Sequence, residues 1–137
     1  MNIKDVKIKK IKGDKLNLIF KRQKELMKKY HKIEKANEIW VPDKLPLDLN
    51  NCKCQYRIKD FLWRITEELG EAGNCLKNKP WKQTQVETDV DHFIEELADA
   101  FHFWIELCIM IGLTADDLFE FYYKKSEVNA FRQRSKY

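Results

Sequence analysis

The sequence predicts an all-α fold, a bundle of four to five helices holding a groove lined by four carboxylates. Two observations lead there. Four Gly and three Pro in 137 residues leave few breaks for the many turns of a sheet protein. Apolar residues also recur at helical spacing through long segments between the few turn signals. The length suits one domain with a real core, and 44% hydrophobic with 35% charged residues is ordinary for a globular chain.

In chain order, Met1 to Lys15 read as a basic arm, a short edge strand or a loose segment closing at Gly13-Asp14, and residues 16–137 as the folded domain. Leu16 to about Trp40 reads as a long helix with Leu16, Ile19, Phe20, Met27 and Tyr30 on one face. Gln23 falls near the middle of that face, where an unsatisfied amide would cost about 1–3 kcal/mol. It is therefore bonded to another helix or turned to a cavity. Residues 41–55, with Pro42, Pro46 and Asn50-Asn51, read as a loop. A second helix is expected over Tyr56–Lys77, and a polar loop carrying Pro80 and Trp81 follows it. Thr88 or Asp89 can cap a third helix ending at Gly112, and Thr114 with Asp117 caps the last, which runs to about Phe131.

The second and third helices carry the chemistry. Glu68-x-x-Glu71 lies in WRITEELGEAGNCL and Glu96-x-x-Asp99 in DHFIEELADAFHFWIELCIMI. A rotation of roughly 100° per residue gathers Ile58, Leu62, Ile65, Leu69, Ala72 and Leu76 into one stripe. It gathers Phe93, Leu97, Ala100, Trp104, Cys108 and Ile111 into another. Each carboxylate pair flanks its stripe on the same rotational side, so antiparallel packing turns both pairs into one groove. Four hard oxygen ligands then converge, which suits Mg²⁺. The plain alternative is a solvated Glu-rich face. Against it, Glu67/Glu71 and Glu95/Asp99 are repulsive i,i+4 pairs. Arg64 can answer Glu67 or Glu68, but Asp91, Glu95, Glu96, Asp99 and Glu106 share a segment with no Lys or Arg. In a chain of net charge +4, such a cluster implies a cation to complete it.

On the last helix Lys125, Asn129 and Arg132 fall at i, i+4 and i+7, one face by construction. Basic residues at a helix C-terminus also simply complement the dipole. Beside a carboxylate site, however, a Lys-Asn-Arg face is what a polyphosphate requires. Cys52, Cys54, Cys75 and Cys108 read as reduced thiols, since Cys52-x-Cys54 is too short for a zinc knuckle and no second pair follows. The N-terminus lacks a signal peptide's apolar stretch and no segment reads as a membrane span, so a cytoplasmic protein is expected. A pI near 8.8 without a recognition-helix signature gives no expectation of specific nucleic-acid binding.

Three segments carry a family resemblance: EELGEA (Glu67–Ala72), EELADAFHF (Glu95–Phe103) and YYKKSEVNAFRQRSKY (Tyr122–Tyr137). Over Leu16 to Tyr137 the chain resembles the dimeric all-α dUTPases of the MazG-like nucleoside triphosphate pyrophosphatases, particularly phage and bacterial members. The spacing from Glu71 to Glu96 falls within that family's range. The last two residues are Lys136-Tyr137 where the family usually has Gly-Tyr.

The resemblance implies hydrolysis of dUTP to dUMP and pyrophosphate, with dCTP/dUTP or broader dNTP hydrolysis as the alternative. It implies Mg²⁺ on Glu68, Glu71, Glu96 and Asp99, in one or more ions and replaceable by Mn²⁺, with Glu68 acting on the attacking water. It assigns Lys125, Asn129 and Arg132 to the phosphates, and Gln23, Trp81, His102 and Phe103 to the base and sugar. A non-catalytic helical interaction protein is the other class to weigh. Broad apolar faces including Trp104, Phe119, Phe121, Tyr122 and Phe131, with Trp63 off its helix's stripe, predict a homodimer, as the resemblance does.

Overall fold

The computed structural model describes residues 1–8 and 12–135. Residues 9–11 of the expected basic arm, and the terminal Lys136-Tyr137, lie outside the described residues. Within them the regular structure is all helical: a 3₁₀ turn at Ile3–Asp5, then α1 (Lys15–Ala36), α2 (Cys52–Asn74), α3 (Val90–Met110) and α4 (Ala115–Arg134). No strand forms among the described residues. No single helix is long and apolar enough to cross a membrane.

The helix ends follow local chemistry. Asp14 caps α1, its carboxylate accepting from the Leu16 and Asn17 amides. Asn51 caps α2 by accepting from Cys54 N at 3.1 Å, which starts this helix four residues before the expected Tyr56. The Asn50-Asn51 pair is thus a helix start rather than the middle of a loop. Asp89, not Thr88, caps α3 by accepting from His92 N at 3.1 Å. At α4, Thr114 and Asp117 close a reciprocal capping box.

Two compact units divide the chain. The first holds Met1–Lys12 and Asp48–Leu107, the second Gly13–Leu47 and Cys108–Tyr137. In the first, the Phe61 and Phe103 rings meet edge to face at 6.0 Å. Seven residues further along α2, Glu68 meets Glu96, seven residues back along α3. The two helices are therefore antiparallel.

They meet on only part of the expected stripes. On α2 the covered positions are Arg57, Phe61 and Ala72, with Ile58, Arg64, Ile65, Glu68 and Cys75 half-buried, while Leu62, Leu69 and Leu76 are exposed. On the first turns of α3, Glu96 and Ala100 are buried and Phe93, Glu95, Asp99 and Phe103 half-buried, with Leu97 and Trp104 exposed. Each covered face shares Ala72 or Ala100 with its expected stripe and extends from there toward the carboxylates. The Phe61–Phe103 contact lies on this side of both helices. Phe61 is fully buried, and the guanidinium groups of Arg57 and Arg64 lie 5.0 and 4.4 Å from its ring centre. Arg64 also reaches back to Asp60 at 2.8 Å.

In the second unit α1 packs against α4. Phe20, Gln23 and Met27 are the buried positions of α1, while Ile19 and Tyr30, expected on that face, are exposed. From Cys108 to Met110 every residue is buried.

Helices α1 and α3 end alike. After α3, Leu113 N donates to Cys108 O and Gly112 N to Ile109 O, with Gly112 at φ 87°. After α1, Ile39 N donates to Glu34 O and Glu38 N to Lys35 O, with Glu38 at φ 62°. Both are Schellman motifs, and only the first has the residue its left-handed position favours. A Cβ on Gly112 would also lie 2.9 Å from Pro46 Cβ. Gly112→Ala should therefore lower unfolding free energy by about 2 kcal/mol, and Glu38→Gly should raise it by roughly 0.5–1 kcal/mol. Urea titrations of the two variants check both signs.

Candidate metal centre

The site grows from the antiparallel pairing of α2 with α3. Because Phe61 sits opposite Phe103, the next two turns bring Glu68 over Glu96 and Asp99. One carboxylate oxygen from each of the three lies within 4.8 Å of the others. Glu96 is buried, at 8% exposure, and Glu68 and Asp99 are half-buried. Three carboxylates so close repel strongly unless something positive intervenes. Glu68 Oε2 and Glu96 Oε2 are both buried with no hydrogen-bond partner among the described residues. Buried acceptors without donors are costly, and a small hard cation satisfies them with the ligands it prefers.

The crowding shows in the proton affinity of Glu68. Burial pushes the Glu68 carboxyl up to about 7, and a hydrogen bond shared with Glu96 together with the charges of Glu71 and Asp99 add to the rise. Glu71, the fourth expected ligand, is exposed one turn further along α2. It acts on Glu68 through charge and a hydrogen bond and lies outside the tight group of three.

A cavity of about 590 Å³ adjoins the cluster, lined by Glu71, Asn74, Lys77, Asp89, His92 and Glu96 among others. His92 was not singled out by sequence reasoning. Its Nε2 lies 3.6 Å from Glu96 Oε1, and the i,i+4 spacing His92-x-x-x-Glu96 was the available signal. The loop after α2 is held by one residue. Asn78 donates to Val86 O at 2.8 Å and accepts from Val86 N at 2.7 Å. That clamp closes the segment bearing Trp81, which is 75% exposed with Lys79 Nζ 5.5 Å from its ring centre.

The other expected site residues fall as follows. Phe103 is half-buried against Phe61, with the Arg64 guanidinium 5.8 Å from its ring, so here it packs the helix pair. His102 is exposed on α3. In the second unit Gln23 is 3% exposed between Phe20 and Met27. Lys125, Asn129 and Arg132 are exposed along α4. Cys52, Cys54, Cys75 and Cys108 are free thiols, and burial raises that of Cys108 to about 11.

Compared with protein-family descriptions, with curated proteins and with solved structures, the chain matches none.

The cluster makes a prediction about stability. Between its ordinary value of 4.5 and about 7, the Glu68 carboxyl has lost its proton in the unfolded chain and keeps it in the folded one. Stability of the metal-free protein therefore falls as pH rises through that window and levels off above it. Glu68→Gln should flatten this slope, and Mg²⁺ should raise the melting temperature most at the alkaline end, where the carboxylates bind it without competing protons. Thermal melts across the window, with EDTA or with Mg²⁺, measure both effects.

Proposed function

We propose that this chain is a Mg²⁺-dependent deoxynucleoside triphosphate pyrophosphatase, with dUTP as its first substrate and dUMP and pyrophosphate as products. The observation that carries the reading is the half-buried group of Glu68, Glu96 and Asp99, with orphaned oxygens on two of them, beside a cavity of about 590 Å³. The motif resemblance supplies the reaction class. Glu68, Glu96 and Asp99 would hold the cation, with Glu71 joining from the adjacent turn. A bound Mg²⁺ would neutralise phosphate oxygens and make a water more acidic.

The remaining roles belong to the chain itself. Glu68, the carboxyl whose proton affinity is most raised, is assigned to orient the attacking water and accept its proton. Lys125, Asn129 and Arg132 are assigned to the phosphates, where fixed donors offset charge that builds as the anhydride breaks. Gln23 presents one amide donor and one acceptor, a match for the imide edge of uracil. His102 and Trp81 keep a proposed role at the base and sugar. Four free thiols and a nucleotide substrate suit a cytoplasmic setting.

A panel of dNTPs and NTPs with Mg²⁺, scored for pyrophosphate release, tests the reading. dUTP should be turned over fastest, with dCTP next. Glu96→Gln and Asp99→Asn should each reduce turnover by about a hundredfold or more while the helical circular-dichroism signal persists. Gln23→Ala should change the ratio between dUTP and other dNTPs more than the overall rate. If no nucleotide is hydrolysed, the enzyme reading fails and a non-catalytic helical interaction protein takes its place.

A homodimer is part of the same proposal. Leu62, Trp63 and Leu69 on α2 are 48%, 60% and 50% exposed, and Phe119, Phe121, Tyr122 and Phe131 on α4 are exposed too. Apolar surface on that scale favours a partner, and a second copy is the commonest one. Sedimentation equilibrium at micromolar concentration should give about twice the 16.5 kDa chain mass. A monomer that still hydrolyses dNTPs would remove the dimer and leave the chemistry.

A further inference from the structure

The second unit contains a cavity of about 330 Å³ that no part of the proposed reaction uses. One wall is α1, where Lys24, Lys28 and His31 stand at i, i+4 and i+7 and so share a face. The opposite wall is the segment Pro42, Asp43, Lys44 and Leu45. Met27 and Ile109, 4% and 6% exposed, complete the lining with apolar surface.

This wall is fixed in place before anything binds. Val41 and Leu47, on either side of it, are 5% and 6% exposed. Leu47 N donates to Met110 O at 2.8 Å, tying the end of the segment to the end of α3. Pro46 lies so close to Gly112 that only glycine fits there. A preformed wall reduces the ordering cost of binding.

Charge and shape then define a ligand. Lys24, Lys28 and Lys44 form no ion pair among the described residues, and Asp43 is the one carboxylate in the lining. Lys24 and Lys28 are a repulsive i,i+4 pair. Placing like charges around an apolar floor is unfavourable for the empty protein and favourable for an anion with an apolar body. The volume lies at the small end of ligand pockets, about 300–1,000 Å³. We infer that this cavity is a binding site for a small amphiphilic anion, an aromatic or aliphatic body carrying one carboxylate or phosphate group. The body would rest on Met27 and Ile109 and the anionic oxygens would meet Lys24, Lys28 and Lys44. Nothing in this inference depends on the carboxylate cluster or on nucleotide hydrolysis.

The test uses the full chain, ¹⁵N-labelled, titrated with 2-naphthoate, with uncharged 2-naphthamide and with inorganic phosphate. 2-Naphthoate should shift the amides of residues 24–31 and 43–45 with a sub-millimolar Kd. The amide analogue and phosphate should each bind about tenfold more weakly, because each lacks one half of the recognition. Lys24→Gln/Lys28→Gln, at two exposed positions that leave the fold intact, should weaken 2-naphthoate by about tenfold or more. Shifts confined to α2 and α4 would overturn the inference by pointing to general apolar adsorption. Equal affinity for acid and amide would overturn it by removing the role of charge, and equal affinity for phosphate would overturn it by removing the role of the floor.

Discussion

The contact between Phe61 and Phe103 sets the rotation of α2 and α3, and the rest of the first unit follows from that rotation. The two rings occupy the helix–helix interior, with two guanidinium groups against the buried one. Two turns on, the same rotation leaves Glu68, Glu96 and Asp99 facing one another instead of water. An aromatic contact worth about a kilocalorie beyond its area burial thus helps hold a cluster of repelling charges in place. Burial and that repulsion together raise the proton affinity of Glu68, and a divalent cation would relieve the repulsion.

Around this pair, the chain spends its polar residues on fixing ends and loops. Asp14, Asn51, Asp89 and Thr114 each supply an acceptor to the first turn of a helix. Asn78 closes the loop that leads from α2 back to α3 by bonding both ways with Val86. The helix that supplies Glu96 and Asp99 therefore starts at a defined place, and the cluster inherits that definition. Gly112 does the same at the other end of α3, where its left-handed backbone admits both the helix stop and the close approach of Pro46.

Charge is distributed unevenly between the units. Acidic groups collect around the cavity of the first, and lysines collect around the cavity of the second. The first asks for a cation and the second for an anion, and neither set is neutralised within its own lining. Exposed leucines on α2 and aromatics on α4 are the third unsatisfied feature, and they ask for a protein surface.

Much of this was legible without coordinates. Helical class, the four long segments, the Thr114–Asp117 box, the Gly112 stop and the buried position of Gln23 all follow from local rules acting within a few residues. So does the spacing of the acidic couplets, because an i,i+3 pair on a helix shares a face whatever surrounds it. What the sequence alone could not decide is which of two adjacent faces turns inward. On α2 the Leu62–Leu69–Leu76 row and the Phe61–Glu68 row lie on either side of Ala72, and periodicity favours the more uniformly apolar one. The fold covers Phe61 fully and keeps Ile58, Ile65 and Ala72 of the stripe at least partly covered, while the three leucines stay exposed. His92 beside Glu96 escaped notice because a lone i,i+4 His–Glu pair has no meaning until the helix is placed. The lysine-rimmed cavity escaped it because Lys44 comes from a different segment than Lys24 and Lys28, joined to them by the anchoring of residues 41–47. Local sequence determines how each helix begins, ends and distributes its charge; side-chain volume in three dimensions decides which charges meet.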